Sequence, residues 1–156
     1  MIADRLDHVS IATHRIASVV PLIRDVLGAR YLMGGDETAQ GFRWGQFQFA
    51  GGGVLEVMEP IGPVGFLQDF LKQRGEGLHH VTLRVRDIER RARELEELGY
   101  HPVKPSYGNP IWKELFLHPR ETHGVLIQLA ESELPYPREI EHYQQLDLEG
   151  LMAGQD

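Results

Sequence analysis

Two histidines sit in near-copies of one hexapeptide, Leu6-Asp7-His8-Val9-Ser10-Ile11 and Leu78-His79-His80-Val81-Thr82-Leu83. Apolar answers apolar, His answers His and hydroxyl answers hydroxyl, at an offset of 80 − 8 = 72. The same offset carries Gly53-Val54-Leu55-Glu56-Val57 onto Val125-Leu126-Ile127-Gln128-Leu129, so Glu56 falls on Gln128. Burying an isolated carboxylate costs several kcal/mol, so Glu56, set among apolar neighbours, demands a cationic partner or an edge position. Two imidazoles with oxygen donors and no thiolate suit a borderline divalent ion such as Co, Zn, Ni, Mn or Fe(II). A set of this kind with room for water is of the open, catalytic type. His8, Glu56, His80 and Gln128 are therefore the candidate metal ligands. Glu56 is also the candidate general base, and Glu37, in Gly34-Gly35-Asp36-Glu37-Thr38, is the second carboxylate considered for acid–base work.

Elements that would position these side chains follow from the hydrophobic pattern. Residues 5–13 alternate like a half-buried strand, with Leu6, His8, Ser10 and Ala12 on one face. Ser18 reads as the cap of a helix to about Leu27, with Pro21 in its first turn and Val19, Val20, Ile23, Val26 and Leu27 as its stripe. Strands are expected near 29–33, 42–50 and 53–59, with Gly34-Gly35 and Gly51-Gly52-Gly53 as turns. The second copy starts at Leu78. It has a helix capped by Asp87 with Ile88, Ala92, Leu95 and Leu98 inward, then strands near 101–104, 111–118 and 124–131. The order is strand, helix and three strands, twice. This is an α+β domain of two tandem βαβββ modules over 1–132: module one at 5–60, a linker helix within 61–76, and module two at 77–131. Residues 133–156 read as a peripheral C-terminal extension, helical from Ile140 to Leu151.

Composition narrows the function. The 156 residues carry 16 Lys and Arg against 23 Asp and Glu, a net charge of −7, with no basic stripe for nucleic acid. Arg43, Lys104, Lys113 and Arg120 are scattered and read as surface charge. There is no cysteine, which excludes disulfides and thiol nucleophiles. No apolar run approaches the roughly 20 residues that span a bilayer, and the first residues lack the apolar core of a secretory signal. A cytoplasmic protein is the expectation, with a small molecule as its partner rather than nucleic acid or membrane.

Several segments together resemble the vicinal oxygen chelate superfamily, which includes glyoxalases, bleomycin-resistance proteins and extradiol dioxygenases. They are Leu6-Asp7-His8-Val9-Ser10-Ile11-Ala12, Asp25-Val26-Leu27-Gly28, Val54-Leu55-Glu56-Val57-Met58-Glu59-Pro60, Gly75-Glu76-Gly77-Leu78-His79-His80-Val81, and Phe116-Leu117-His118-Pro119 followed by Gly124-Val125-Leu126-Ile127-Gln128-Leu129. Of the family, methylmalonyl-CoA epimerases are the most similar. The resemblance implies a cupped mixed sheet with helices outside and a divalent metal held by His8, Glu56, His80 and Gln128. It implies proton abstraction beside a carbonyl through a metal-chelated enolate, as in an epimerase or a glyoxalase I-like lyase. An acyl-CoA or a hydroxyketone thiol adduct would then be the substrate, and a homodimer the assembly. An extradiol-type ring-cleaving dioxygenase and a non-catalytic antibiotic-binding protein share the family. The chain departs from the epimerases in two ways. Those enzymes have glutamine in the first module and glutamate in the second, where this chain has Glu56 and Gln128. They also have an acid just before a Gln-Gly, where this chain has Ala39-Gln40-Gly41.

Overall fold

The computed structural model describes residues 1–109, 111–133 and 146–154. The chain forms two compact units, Met1–Val9 with His79–Pro135 and Ser10–Leu78 with Tyr136–Asp156. Strand β1 (Arg5–Ala12) runs from the first into the second.

In the Ser10–Leu78 unit, β2 (Arg30–Glu37), β3 (Phe42–Gln48) and β4 (Val54–Pro60) lie in the hydrogen-bonded order β2-β3-β4-β1. Antiparallel register pairs Gln46 with Glu56 and Gly45 with Val57. Alternation then puts Gln46 and Glu56 on one face, and Gly45, Phe47 and Val57 on the other. Helix α1 (Ile16–Pro21) packs on that second face, where Ile16, Val20, Ile23, Phe47 and Val57 form the core. Helix α2 (Phe66–Arg74) buries Leu67 and Leu71 against Ala12 and Met58.

The other unit holds β5 (Gly77–Arg84) from His79 onward, α3 (Ile88–Glu97), β6 (Val103–Ser106), β7 (Lys113–Leu117) and β8 (Leu126–Glu131). Its order is β1-β5-β8-β7-β6, with β5 parallel to β8 and the remaining β8-β7-β6 pairs antiparallel. Register pairs Leu115 with Leu129 and Phe116 with Gln128. Leu115 and Leu129 face Ile88 and Leu95 of α3, which leaves Gln128 and Thr82 on the opposite face.

The strand–helix–three-strand order thus occurs twice, as the repeat requires. A second expression of the repeat was not read from the sequence. Glu59 Oε2 accepts the backbone N–H of Ile16 at 2.6 Å, and Glu131 Oε2 accepts that of Ile88 at 2.7 Å. Glu59 and Glu131 are again 72 apart, as are Ile16 and Ile88. Each glutamate supplies a negative acceptor to the donors that a helix start leaves unpaired.

This tertiary cap explains why Ser18 is not the helix cap: its hydroxyl donates to Arg15 O, inside a helix that has already begun at Ile16. Pro21 lies at the end of α1 instead of its first turn. Lacking an N–H, it cannot continue the ladder, and Leu22–Val26 winds as a π-helix closed by Leu27 N–H to Leu22 O at 2.9 Å. The wider turn rotates Val26 and Leu27 to solvent, so the apolar stripe reduces to buried Ile16, Val20 and Ile23 with Val19 packed beside them. Leu98, past the last turn of α3, is likewise exposed. Asp87 does cap α3, accepting the N–H of Arg90 at 3.3 Å.

Gly34 and Gly35 lie within β2, where alternation would have ended at a turn. A Cβ on Gly34 would stand 2.6 Å from Trp44 O and 2.8 Å from the Tyr31 hydroxyl, so close strand approach sets the residue there. The described part of the C-terminal segment, 146–154, is not peripheral. Residues 140–145 of the expected helix lie outside the described residues, but α4 (Leu148–Met152) forms and inserts a fully buried Leu151 beside Ile16, Val20 and Phe47. Arg43 is buried too. It forms a bidentate pair with Asp36 at 2.6 and 3.0 Å and donates to Gly150 O, and the pair holds its guanidinium above its ordinary pKa.

Candidate functional site

β1, β5, β7 and β8 hold a continuous chain of polar side chains in the unit containing His8. Asp7 and Arg84 are buried together, with Arg84 Nε donating to Asp7 Oδ2 at 2.8 Å and a second guanidinium nitrogen to Ser132 O. The other oxygen of Asp7 lies 2.6 Å from His8 Nδ1. An ionised carboxylate only accepts, so Nδ1 carries the proton, and Nε2 is the ring nitrogen turned away from Asp7. That arrangement of a carboxylate behind an imidazole is how ligating histidines are oriented. His8 Nε2 lies 3.0 Å from Thr82 Oγ1, which in turn lies 2.5 Å from Gln128 Oε1. Thr82 donates its one hydroxyl proton to Gln128 Oε1 and meets His8 Nε2 through the same oxygen. The His80 ring stands edge-on to His8 with centroids 5.8 Å apart, and its Nδ1 is 2.8 Å from His79 Nδ1. His8, His80 and Gln128 are all buried, at 3%, 6% and 6% exposure.

Glu56 belongs to the other unit. Its Oε1 accepts from Ser10 at 2.7 Å and its Oε2 from Gln46 Nε2 at 2.8 Å. Both neighbours donate, as an acceptor-only carboxylate needs. Ser10 stands two residues from His8 along β1 and shares its face, roughly 7 Å further along the strand. The hydroxyls repeat like the ligands: Ser10 serves Glu56 as Thr82 serves Gln128, with 46 residues between partners in both cases.

Of the sequence candidates, His8, His80 and Gln128 come together in one unit, and Glu56 is held by Ser10. Glu37 ends β2 opposite Phe42, whereas Met33 is the residue opposite Gln46. Four residues of strand separate Met33 from Glu37, about 13 Å, so β2 does not bring Glu37 to Glu56. His118 lies in the turn after β7 and accepts Arg120 N–H at 3.1 Å, and His14 and His123 are exposed. Glu114 was not singled out in the sequence. It accepts from Gln128 Nε2 at 2.6 Å and from Trp112 Nε1 at 3.0 Å. Alternation along Lys113–Leu117 was the available signal, since Glu114 and Phe116 fall on the face opposite Leu115.

A mixed α+β chain of two βαβββ repeats, with histidine on each first strand and Glu or Gln on each last one, defines a class. The chain belongs to the glyoxalase/bleomycin resistance protein/dioxygenase superfamily, whose description matches residues 7–116. It is 32% identical over 131 residues to an uncharacterized protein of Bacillus subtilis, covering 82% of this chain and 92% of that one. It is 30% identical over 134 residues to the ethylmalonyl-CoA/methylmalonyl-CoA epimerase of Cereibacter sphaeroides, covering 81% and 97%. The crystal structure of methylmalonyl-CoA epimerase from Mycobacterium tuberculosis matches with a TM-score of 0.77 and 28% identity, over 84% of this chain and 89% of that one. Among the described residues, no helix is long and apolar enough to cross a membrane.

Proposed function

We propose that this protein is a divalent-metal-dependent enzyme that moves a proton on the carbon beside a carbonyl, with an acyl-CoA thioester as substrate. The observation that carries the reading is the matched pair of hydroxyl-held oxygens, one in each unit, Ser10 to Glu56 and Thr82 to Gln128. The likeness to acyl-CoA epimerases supports the substrate class. His8, Glu56 and His80 are buried side chains of the types that hold such ions, and Gln128 supplies a neutral oxygen. A bound divalent cation supplies positive charge that lowers the cost of the negative charge developing on a substrate oxygen.

Everything else falls to the chain's own groups. Asp7 fixes the His8 tautomer and is itself held by Arg84. Ser10 and Gln46 hold both oxygens of Glu56, so the carboxylate meets the substrate in one orientation. Glu56 is the base we assign: it takes the α-proton at one oxygen while a donor remains on the other.

The test is deuterium uptake at the α-carbon of methylmalonyl-CoA in D2O, followed by NMR with chelator-treated and metal-reloaded protein. Metal-dependent uptake by the parent is expected, lost in Glu56→Gln, with stoichiometric metal lost in His8→Ala and His80→Ala. No uptake from methylmalonyl-CoA, or full metal content in either histidine variant, overturns the reading. Uptake from a hemithioacetal instead would move the protein to the glyoxalase branch, and oxygen consumption with Fe(II) to the dioxygenase branch.

A further inference from the structure

The side-chain amide of Gln128 can ligate a cation through one atom only. Its oxygen carries lone pairs, whereas its NH2 offers two donors and nothing to a metal. The two ends are nearly the same size, so packing alone does not choose between them. What faces each end does. Gln128 Nε2 donates to Glu114 Oε2 at 2.6 Å, and Thr82 lies 2.5 Å from Oε1. The hydroxyl of Thr82 can donate or accept and so tolerates either flip, but an ionised Glu114 only accepts and admits only the NH2. Glu114 is in turn pinned by Trp112 Nε1, which donates to the same oxygen at 3.0 Å, and Trp112 lies under the Arg84 guanidinium, 5.1 Å from the ring centroid.

We infer that Glu114 is a positioning residue for the proposed metal site: it locks the Gln128 amide so that Oε1, and never the NH2, faces Thr82 and His8. The consequence for metal rests on the reading in the preceding subsection, while the lock itself is a property of the β7–β8 pair. It also gives a reason for glutamine, and not glutamate, at position 128. Each unit pairs one carboxylate with one amide across neighbouring strands, Gln46 with Glu56 on β3 and β4, and Glu114 with Gln128 on β7 and β8. The order is reversed between the two. With Glu114 in place, a glutamate at 128 would set two carboxylates against each other, which disfavours having both ionised. Glutamine at 128 keeps one acid per pair.

The experiment compares the parent with Glu114→Gln, whose amide can face Gln128 either way round. Two readouts apply, both on the full chain. The first is Mn2+ titration of chelator-stripped protein by calorimetry. The second is the 15N-resolved side-chain NH2 signals of Gln128 in metal-free protein. Glu114→Gln is expected to weaken Mn2+ binding by about 10-fold, the low end for loss of a group that orients a ligand. The Gln128 NH2 signals should change from one shifted, protected pair to averaged ones, while the metal-free melting midpoint stays near that of the parent. The exchanged double variant Glu114→Gln/Gln128→Glu rebuilds the Gln46–Glu56 type of pair and should restore Mn2+ affinity. Unchanged affinity and unchanged Gln128 signals in Glu114→Gln would overturn the inference. So would a loss of affinity that the double variant does not recover, or one that follows a lowered melting midpoint. A parent that binds no Mn2+ defeats the proposed function instead, and the Gln128 signals then still decide the lock.

Discussion

Leu151 and Gly45 give a prediction whose sign reverses with background. Leu151 is fully buried in the core of the unit that holds α1, and α4 around it is only five residues long. Helices below roughly 12 residues do not persist alone, so α4 is held by its docking. Truncation in Leu151→Ala removes a buried leucine side chain and should cost about 3–5 kcal/mol. Gly45 is the floor of the notch: a Cβ there would stand 2.4 Å from Leu151 Cδ2 and 3.1 Å from Cδ1. Gly45→Ala in the parent therefore overpacks the contact, at about 1–3 kcal/mol. With Leu151 already truncated, the same change meets open space. It should then stabilise by about 0.5–1 kcal/mol, because alanine loses less entropy in a strand than glycine. The coupling is thus about 1.5–4 kcal/mol, beyond the ~0.5 kcal/mol within which independent sites add. Urea unfolding of the four proteins, followed by circular dichroism with the slope checked for constancy, measures it. An equal cost of Gly45→Ala in both backgrounds would refute the notch.

Two further outcomes follow from contacts within single units. Glu59→Ala and Glu131→Ala each remove the acceptor at a helix start and should cost about 1–2 kcal/mol by urea unfolding, with glutamine at either position costing less; equal losses for alanine and glutamine would contradict the caps. Burial, with Asp147 nearby, pushes the Tyr31 hydroxyl up to about 12. Its folded pKa lies above the unfolded value near 10, so the stability from keeping it neutral is complete below pH 10 and is lost as pH rises from 10 to 12. Absorbance titration at high pH should show a late-titrating tyrosine that disappears in Tyr31→Phe, and a parent titrating wholly near pH 10 would contradict its half-buried bond to Leu146 O.

The primary sequence determined the repeat and, through it, the order of elements and the residues of interest. Self-similarity at an offset of 72 survives any ignorance of packing, because each copy must place the same types of side chain on the same faces. His8 with His80 and Glu56 with Gln128 were legible for that reason, as were α3 and its Asp87 cap, whose signals lie within a few residues of one another. Tertiary structure decided whatever depends on a partner remote in the chain. Ser18 looked like a cap by local propensity, but Glu59, 43 residues beyond Ile16, supplies the acceptor, and the helix starts earlier for it. Gly34-Gly35 looked like a turn, but both pair with β3 inside β2, and Trp44 and Tyr31 come too close to Gly34 to leave room for a Cβ. Arg43 read as surface charge until Asp36 and the C-terminal helix covered it. Glu114 carries no mark in the sequence beyond its alternation, because a carboxylate becomes an orienting group only when a specific amide lies within hydrogen-bonding reach, and strand register, not composition, brings Gln128 there.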